Sequence, residues 1–280
     1  MTSTARAVLV LFWAIKVLTG HCLAAGEPAK PAKPATATAK PPAPSPEIEA
    51  KYQALVAALP PEEQAWERVL QTYLGDYDLP IHKRQRVKGI PNFWGYVKDD
   101  PKLPRVLLIG DSVSLGYTLP ARRALAGQAN VHRAPQNCGS TAEGLRKLDV
   151  WLGDGKWDVV HFNFGIHDHA TPLADYEDRL EKIVARLQKT GAKLVWASTT
   201  PIPRIEAKKQ NPEVIVERNA VALRVMQRHG IAVDDLFTFI TPHLATAQNP
   251  QDVHFTVKGY DLLGGQVAEA ILASLKTSPP

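Results

Sequence analysis

Five apolar runs follow one another along the later part of the chain, and a helical pattern separates each from the next. The runs are RVLLIG, NVHRA, WDVVHFNFG, AKLVWASTT and IAVDDL. Between them, apolar residues recur at helical spacing, as at Leu180, Ile183 and Leu187 ahead of a terminating Gly191. Nearly continuous apolar strands that alternate with helices are typical of a parallel sheet covered on both faces. The pattern therefore predicts an α/β domain over residues 102–280.

The pattern before this domain is shorter and mixed. The stretches EIEAKYQALVAAL and EEQAWERVLQTYL, separated by Pro60 and Pro61, predict two helices. A loop-rich piece that holds Pro80 and Trp94 follows them. We interpret residues 48–101 as a helical N-terminal elaboration packed on the main domain. Its aromatic residues either pack or line a substrate cleft, and we favour packing.

The first 25 residues have the pattern of a secretory signal peptide. Arg6 precedes the apolar run Ala7–Ile15, which is too short to span a bilayer, and small residues then offer a cleavage site. An uncleaved anchor is one alternative, and a lipoprotein signal ending at Cys22 is another, which His21 disfavours. We expect a secreted or periplasmic protein without an integral membrane domain after cleavage.

Composition changes this picture in two ways. Residues 26–47 are rich in Pro, Ala and Lys, which predicts a disordered linker. Cleavage of the signal lowers the net charge from +5 to +3, and the three lysines of the linker account for the rest, so the body is close to neutral. The basic pI therefore does not favour a nucleic-acid partner. Cys138 would be the one cysteine left, and we interpret it as a buried small residue rather than a reactive thiol.

Polar residues stand at the carboxyl ends of the predicted strands, where ligands bind in such sheets. The first strand ends in Gly110, Asp111 and Ser112, and the last crossover leads to Asp252 and His254. A serine nucleophile needs a base within hydrogen-bond reach, a group that orients the base, and donors for an oxyanion. His254 is the candidate base and Asp252 the candidate orienting group for Ser112.

The remaining strand ends add supporting groups. Gly139 permits a close backbone approach and offers an N–H as a second oxyanion donor. Four polar residues are candidates for supporting roles. They are Asp111, Asn137 near Gly139, and Asn163 and Asp168 after the third strand.

Four blocks of the sequence, IGDSVSLGYT, NCGST, NFGIHD and DVHFTVKGYDLLG, together resemble those of the SGNH (GDSL-type) hydrolase family. They occur in family order over about residues 105–275. The resemblance implies a flavodoxin-like three-layer α/β/α sandwich with a parallel five-stranded sheet. It also implies ester hydrolysis without a metal or another cofactor. Ser112 is implied as nucleophile and oxyanion donor, Gly139 as oxyanion donor, and His254 as base.

Two blocks depart from the family pattern. The third normally reads Gly-x-Asn-Asp, and its Asn completes the oxyanion hole; here His167 stands in that place, as a neutral or a protonated N–H donor. The family's aspartate normally lies three residues before the histidine, where this chain has Gln251. Either Asp252 orients His254 in a reshaped loop, or the site is a Ser–His dyad helped by a backbone carbonyl. We favour Asp252, and interpret both departures as a subfamily variant.

The sequence offers two other candidate sites. His161, His167 and His169 beside Asp168 suggest a metal site, but their spacing matches no known site well. Arg204 follows the fourth strand and either binds an anionic group of a substrate or is solvated or paired, which is the interpretation we favour.

The first hypothesis is an exported serine esterase that acts on an acyl-ester substrate, with an acetylated glycan as a candidate. An O-acetyltransferase would use the same residues. The second hypothesis is a non-catalytic protein that binds glycan or envelope on a hydrolase fold, because fold alone does not establish activity. The sequence does not indicate an oligomeric state.

Overall fold

The computed structural model describes residues 40–153, 155–208 and 210–277, which belong to one compact unit. A five-stranded parallel sheet with the strand order β2-β1-β3-β4-β5 forms its centre. The strands are β1 Arg105–Ile109, β2 Asn130–Arg133, β3 Val159–Phe162, β4 Lys193–Ala197 and β5 Ala232–Asp234. This order reverses its direction between β1 and β3, which is the switch point at which ligands bind in doubly wound sheets.

Within the described residues, ten α-helices surround or precede the sheet: α1 Pro46–Ala57, α2 Pro61–Tyr73, α3 Gly75–Val87, α4 Ser112–Ala124, α5 Thr141–Leu152, α6 Leu173–Gln188, α7 Glu213–Arg228, α8 Leu236–Ile240, α9 Leu244–Ala247 and α10 Val257–Lys276. None of those within the described ranges is long and apolar enough to cross a membrane. The signal-peptide prediction and most of the linker prediction lie outside the described residues.

The side chains of β1 alternate between two apolar cores, as the period of a strand requires. Leu107 and Ile109 enter a core shared with α5, α6 and α7. Val106 and Leu108 enter a second core, formed with α4, α8 and α10. The predicted three-layer α/β/α sandwich with a five-stranded parallel sheet is therefore confirmed.

One local prediction is wrong. The stretch around Pro80 is not a loop but lies inside helix α3, and Pro80 is buried there beside His82. A proline in a helix interior costs roughly 3 kcal/mol. Burial of this helix face outweighs that cost, and local sequence preference does not register burial. The packing interpretation holds for Trp94, which is 1% exposed in an apolar cluster with residues of α2 and α4.

A buried carboxylate joins the N-terminal helices to one another. Glu67 on α2 accepts hydrogen bonds from the Tyr52 hydroxyl and the His82 ring, both at 2.8 Å, and lies 2.9 Å from Arg86 Nε. Burial raises the pKa of Glu67, but the hydrogen bonds from His82 and Tyr52 and the Arg86 charge outweigh it, and the pKa lies below its ordinary 4.5. At neutral pH the carboxylate is therefore ionised and makes all of these contacts.

We expect Glu67→Gln to lower the free energy of unfolding by about 2–4 kcal/mol at pH 7, since buried partners lose a charged acceptor. Because the folded-state pKa is lowered, this contribution is complete above the unfolded value and is lost as pH falls through the folded one. Urea unfolding should therefore show a smaller difference in the free energy of unfolding between wild type and variant at pH 4 than at pH 7. Glu62→Gln, at an exposed position of the same helix, should leave the free energy of unfolding unchanged at both pH values.

Candidate active site

Ser112 occupies the first position of helix α4, immediately after the turn that ends β1. The Asp111 side chain caps this helix by accepting the backbone N–H of Val113 at 3.0 Å. The first N–H groups of a helix have no intrahelical acceptor. Among the described residues, none accepts from the N–H of Ser112 either. This N–H is therefore available for an anion at a helix N-terminus, where the helix dipole also favours negative charge.

A buried arginine donates hydrogen bonds to the backbone of this turn. Arg133, at the end of β2, is 2% exposed and donates to the carbonyl oxygens of Gly110 at 2.9 Å and Asp111 at 3.3 Å. It also donates to Ser114 Oγ at 2.9 Å, and this hydroxyl donates to the Asp111 carbonyl at 2.6 Å. Arg133 therefore positions the backbone that carries Ser112. Sequence reasoning missed it, although an arginine within the apolar run NVHRA was a signal.

We expect Arg133→Met to lower the free energy of unfolding by about 2–4 kcal/mol, because the buried Gly110 and Asp111 carbonyl oxygens and the Ser114 hydroxyl each lose a charged donor. The same change should lower kcat for an ester substrate more than it raises KM, since the turn that carries Ser112 is released. Urea unfolding and steady-state kinetics measure the two effects. Equal kcat values for the folded variant and wild type would contradict the positioning role.

Ser112, His254 and Asp252 form one chain of hydrogen bonds. Ser112 Oγ lies 2.8 Å from His254 Nε2, and His254 Nδ1 lies 2.8 Å from Asp252 Oδ1. A carboxylate accepts only, so we assign the ring proton to Nδ1, and Nε2 then accepts the hydroxyl proton of Ser112. The chain is thus oriented for removal of a proton from the serine hydroxyl.

The loop before His254 explains how an aspartate only two residues away reaches its ring. Gln251 has a φ of 54°, in the left-handed region that residues other than glycine rarely adopt. Hydrogen bonds from Asp252 N to the Asn249 carbonyl at 3.2 Å and from Asn249 N to the His254 carbonyl at 3.0 Å close the loop. Because of the turn at Gln251, the side chain of Asp252, and not that of residue 251, reaches the imidazole of His254.

The Asp252 carboxyl stays ionised because of this loop. Burial raises its pKa, but the backbone N–H and the ring of His254 and the backbone N–H of Val253 donate to it and lower the pKa below its ordinary 3.8. Hydrogen bonds to the charged form of a group have this effect. At neutral pH the carboxylate is therefore available to stabilise a positive imidazole.

The predicted oxyanion donors differ in their present partners. Gly139 has a φ of 61°, which a side chain would strain, and its N–H donates to Asn137 Oδ1 at 3.3 Å. An oxyanion at this position would share or replace that long bond. The ring of His167 is exposed and makes no hydrogen bond with the described residues.

Two further polar residues hold the third block in place. Asp168 is buried and accepts the backbone N–H of Thr141 at 2.8 Å and its hydroxyl at 2.7 Å, which ties the His167 turn to the start of α5 beside Gly139. Asn163 points to β4, where its amide donates to the Ala197 carbonyl at 2.8 Å. Asp168 therefore brings two strand-end loops together, while Asn163 joins neighbouring strands.

The alternative clusters resolve into ordinary contacts. His161 is buried and pairs with Asp234 at 3.0 Å. Arg204 pairs with Glu213 at 2.5 Å, and burial raises the pKa of the free Cys138 thiol to about 12. Within the described ranges, no three His, Cys, Asp or Glu side chains gather as a metal ion would require.

A serine hydroxyl, an imidazole and a carboxylate in this order, at the switch point of a parallel sheet, are the arrangement of a serine hydrolase. The sequence profile of the GDSL-like lipase/acylhydrolase family matches residues 108–262, more than half of the chain. The chain belongs to this family, and it is a carboxylic ester hydrolase. No curated protein matches it.

Solved structures share the fold. A lipase/acylhydrolase from Enterococcus faecalis has a TM-score of 0.56 and 22% identity, covering 63% of this chain and 98% of that one. An acetylxylan esterase from Geobacillus stearothermophilus has a TM-score of 0.51 and 16% identity, covering 62% and 95%. The acetyl xylan esterase AlAXEase has a TM-score of 0.52 and 15% identity, covering 60% and 99%. The similarity to each of these structures supports the α/β fold of this chain.

Proposed function

We propose that this protein is an exported esterase that removes short acyl groups, acetyl in particular, from a carbohydrate. The observation that carries the proposal is the chain of two 2.8 Å hydrogen bonds from Ser112 through His254 to Asp252. Two structures of the same fold are named acetyl xylan esterases, which supports the substrate class. The N-terminal apolar run supports export.

In the proposed reaction, Ser112 Oγ attacks the ester carbonyl carbon while His254 Nε2 takes its proton. The carbonyl oxygen becomes an oxyanion, which the N–H groups of Ser112 and Gly139 and the His167 ring stabilise. His254 then gives the proton to the departing sugar oxygen, and the C–O bond breaks to leave an acyl-serine. Water attacks this acyl group, His254 again transfers the proton, and acid and free serine are released.

A cavity next to this centre suits the substrate. It has a volume of about 350 Å³ and is lined by Ile166 and Val253, the sequence neighbours of His167 and His254, and by Ile202, Val214, His169, Gln210 and Asn211. Its size lies within the roughly 300–1,000 Å³ of small-molecule sites. The apolar part of this mixed wall would receive the acyl group or one face of the alcohol portion of the ester.

A fluorophosphonate probe tests the proposal directly, because it forms a covalent bond only with an activated serine. We expect stoichiometric labelling of the peptide that contains Ser112, and release of acetate from acetylated xylan by the unlabelled protein alone. Ser45→Ala, which removes a remote helix cap, should label as wild type does. Absence of labelling in the folded protein would favour the non-catalytic glycan-binding alternative. Transfer of acetyl to an added sugar in preference to water would favour the O-acetyltransferase.

A further inference from the structure

A second cavity lies on the other side of Arg133, beside the outer edge of β2. It has a volume of about 460 Å³, within the range of small-molecule sites, and is lined by residues of both the N-terminal elaboration and the sheet. Its walls include aromatic side chains from both parts: Trp66, Tyr96, Trp151 and Trp157. None of the three residues of the Ser112–His254–Asp252 chain lines it.

Arg122 on α4 is the side chain best placed to bind a ligand there. β2 is an edge strand, and since Asn130 and Ala134 pair with β1, the alternation of a strand turns the Val131 carbonyl outward. Arg122 Nε donates to this carbonyl at 2.9 Å, which fixes the plane of the guanidinium. Its two terminal nitrogens make no hydrogen bond within the described ranges and are not sealed from solvent. A fixed guanidinium with two open donors matches a carboxylate.

The charges around the cavity favour an anion. Asp99 is its one acidic wall residue among those described, and it is occupied by Arg105 at 2.7 Å and by His132 at 2.5 Å. Arg122 and Arg133 also line the cavity, and neither has a carboxylate within ion-pair distance among the described residues. Burial and the nearby Arg133 charge lower the pKa of Arg122 to about 10, so an anion would relieve an unfavourable environment.

We propose that this cavity binds a carboxylate carried on a ring, with Arg122 as the bidentate anchor and the aromatic walls packing against the ring. A sugar acid and an aromatic acid share this chemistry. The site is separate from the proposed catalytic centre, so its ligand should bind whether or not Ser112 is present.

Titration with tryptophan fluorescence as the readout tests the proposal, since three tryptophans line the cavity. The probes are D-glucuronate with D-glucose as its neutral match, benzoate with benzyl alcohol as its match, and inorganic phosphate. We expect saturable binding of at least one carboxylate and of neither neutral match. The carboxylate that binds more tightly identifies the class of ring, a sugar or an aromatic ring. Ser112→Ala should bind as wild type does.

Arg122→Gln should weaken carboxylate binding about tenfold or more, because a charged hydrogen-bond partner is removed. The matched control is Arg123→Gln, the same change at the adjacent position, where the side chain is exposed and pairs with Asp261. It should leave affinity unchanged, and both variants should keep wild-type hydrolysis of p-nitrophenyl acetate. Arg122→Lys keeps the charge but loses the two-nitrogen fork of the guanidinium. It should bind the carboxylate more weakly than wild type does, and more tightly than Arg122→Gln does. If Arg122→Gln does not fold, the comparison of Arg122→Lys with wild type replaces it.

Three results would overturn the proposal. The first is an absence of saturable binding by either carboxylate to the wild-type protein. The second is binding that Arg122→Gln and Arg122→Lys leave unchanged. The third is tighter binding of phosphate than of both carboxylates, which would assign the cavity to a different anion.

Discussion

Ser112→Ala is expected to lower kcat/KM for p-nitrophenyl acetate by about 10⁴–10⁶-fold, since removal of a serine nucleophile leaves only binding and oxyanion stabilisation. The hydroxyl lies 2.8 Å from His254 Nε2, and the variant lacks this one oxygen, which both attacks the carbonyl carbon and carries the acyl group. The N–H of Ser112 remains, and residual hydrolysis by water should therefore exceed the uncatalysed rate.

The measurement is steady-state hydrolysis by both proteins, together with urea unfolding to show that the variant is folded. The remote Ser45→Ala should retain wild-type kinetics. A folded Ser112→Ala protein that kept more than about a tenth of the wild-type kcat/KM would contradict the nucleophile assignment, because such a loss is far below that of a missing nucleophile. The carboxylate cavity beside β2 would be unaffected by that outcome, since its test measures binding alone.

Asp252→Ala is expected to lower kcat by about 10²–10⁴-fold with a smaller effect on KM, because the loss of an orienting carboxylate mainly affects the transition state. Asp252 holds the proton of His254 on Nδ1 and would stabilise the imidazolium that forms during the reaction. Its side chain is 45% exposed, so we expect a smaller loss than a fully buried aspartate would produce. Asp252→Asn removes the charge, and its amide can donate to Nδ1 and favour the unproductive tautomer, so it should lose about as much kcat as the alanine variant.

The neighbouring position supplies the control for this prediction. Gln251 stands where the family's aspartate usually lies, and Gln251→Asn keeps an amide that tolerates the left-handed backbone. It should retain kcat within about threefold, since its side chain takes no part in the proposed proton transfer. If Asp252→Ala instead lost less than about tenfold, a Ser–His dyad oriented by a backbone carbonyl would be the better mechanism.

Much of the architecture was predictable from apolar periodicity. The five strands lie within the five apolar runs, and Gly191 and Gly230, with φ of 73° and 62°, follow the ends of α6 and α7. Local preference failed at Pro80, where burial of a helix face outweighs the cost of the proline. Periodicity reports which face of an element is apolar, but not how strongly that face is buried by a partner.

The site was predictable to the extent that parallel strands bring their carboxyl ends to one edge. Ser112 and His254, 142 residues apart in sequence, were paired on that ground, and the structure places them in contact. Arg133 was missed because its role depends on three acceptors from the neighbouring strand end and helix. No pattern along the chain indicates which distant carbonyl oxygens a buried arginine will contact.

The sequence by itself determined the α/β class, the order of the strands' polar ends and the identity of the candidate nucleophile and base. These depend on the periods of strands and helices and on residue types that carry particular chemistry. Only the tertiary structure decided that Asp252 reaches His254 through a left-handed turn at Gln251, and that Arg122 faces a cavity with two open donors. Both depend on loops and side chains that meet across the fold, where distances of a few ångströms separate a hydrogen bond from no contact.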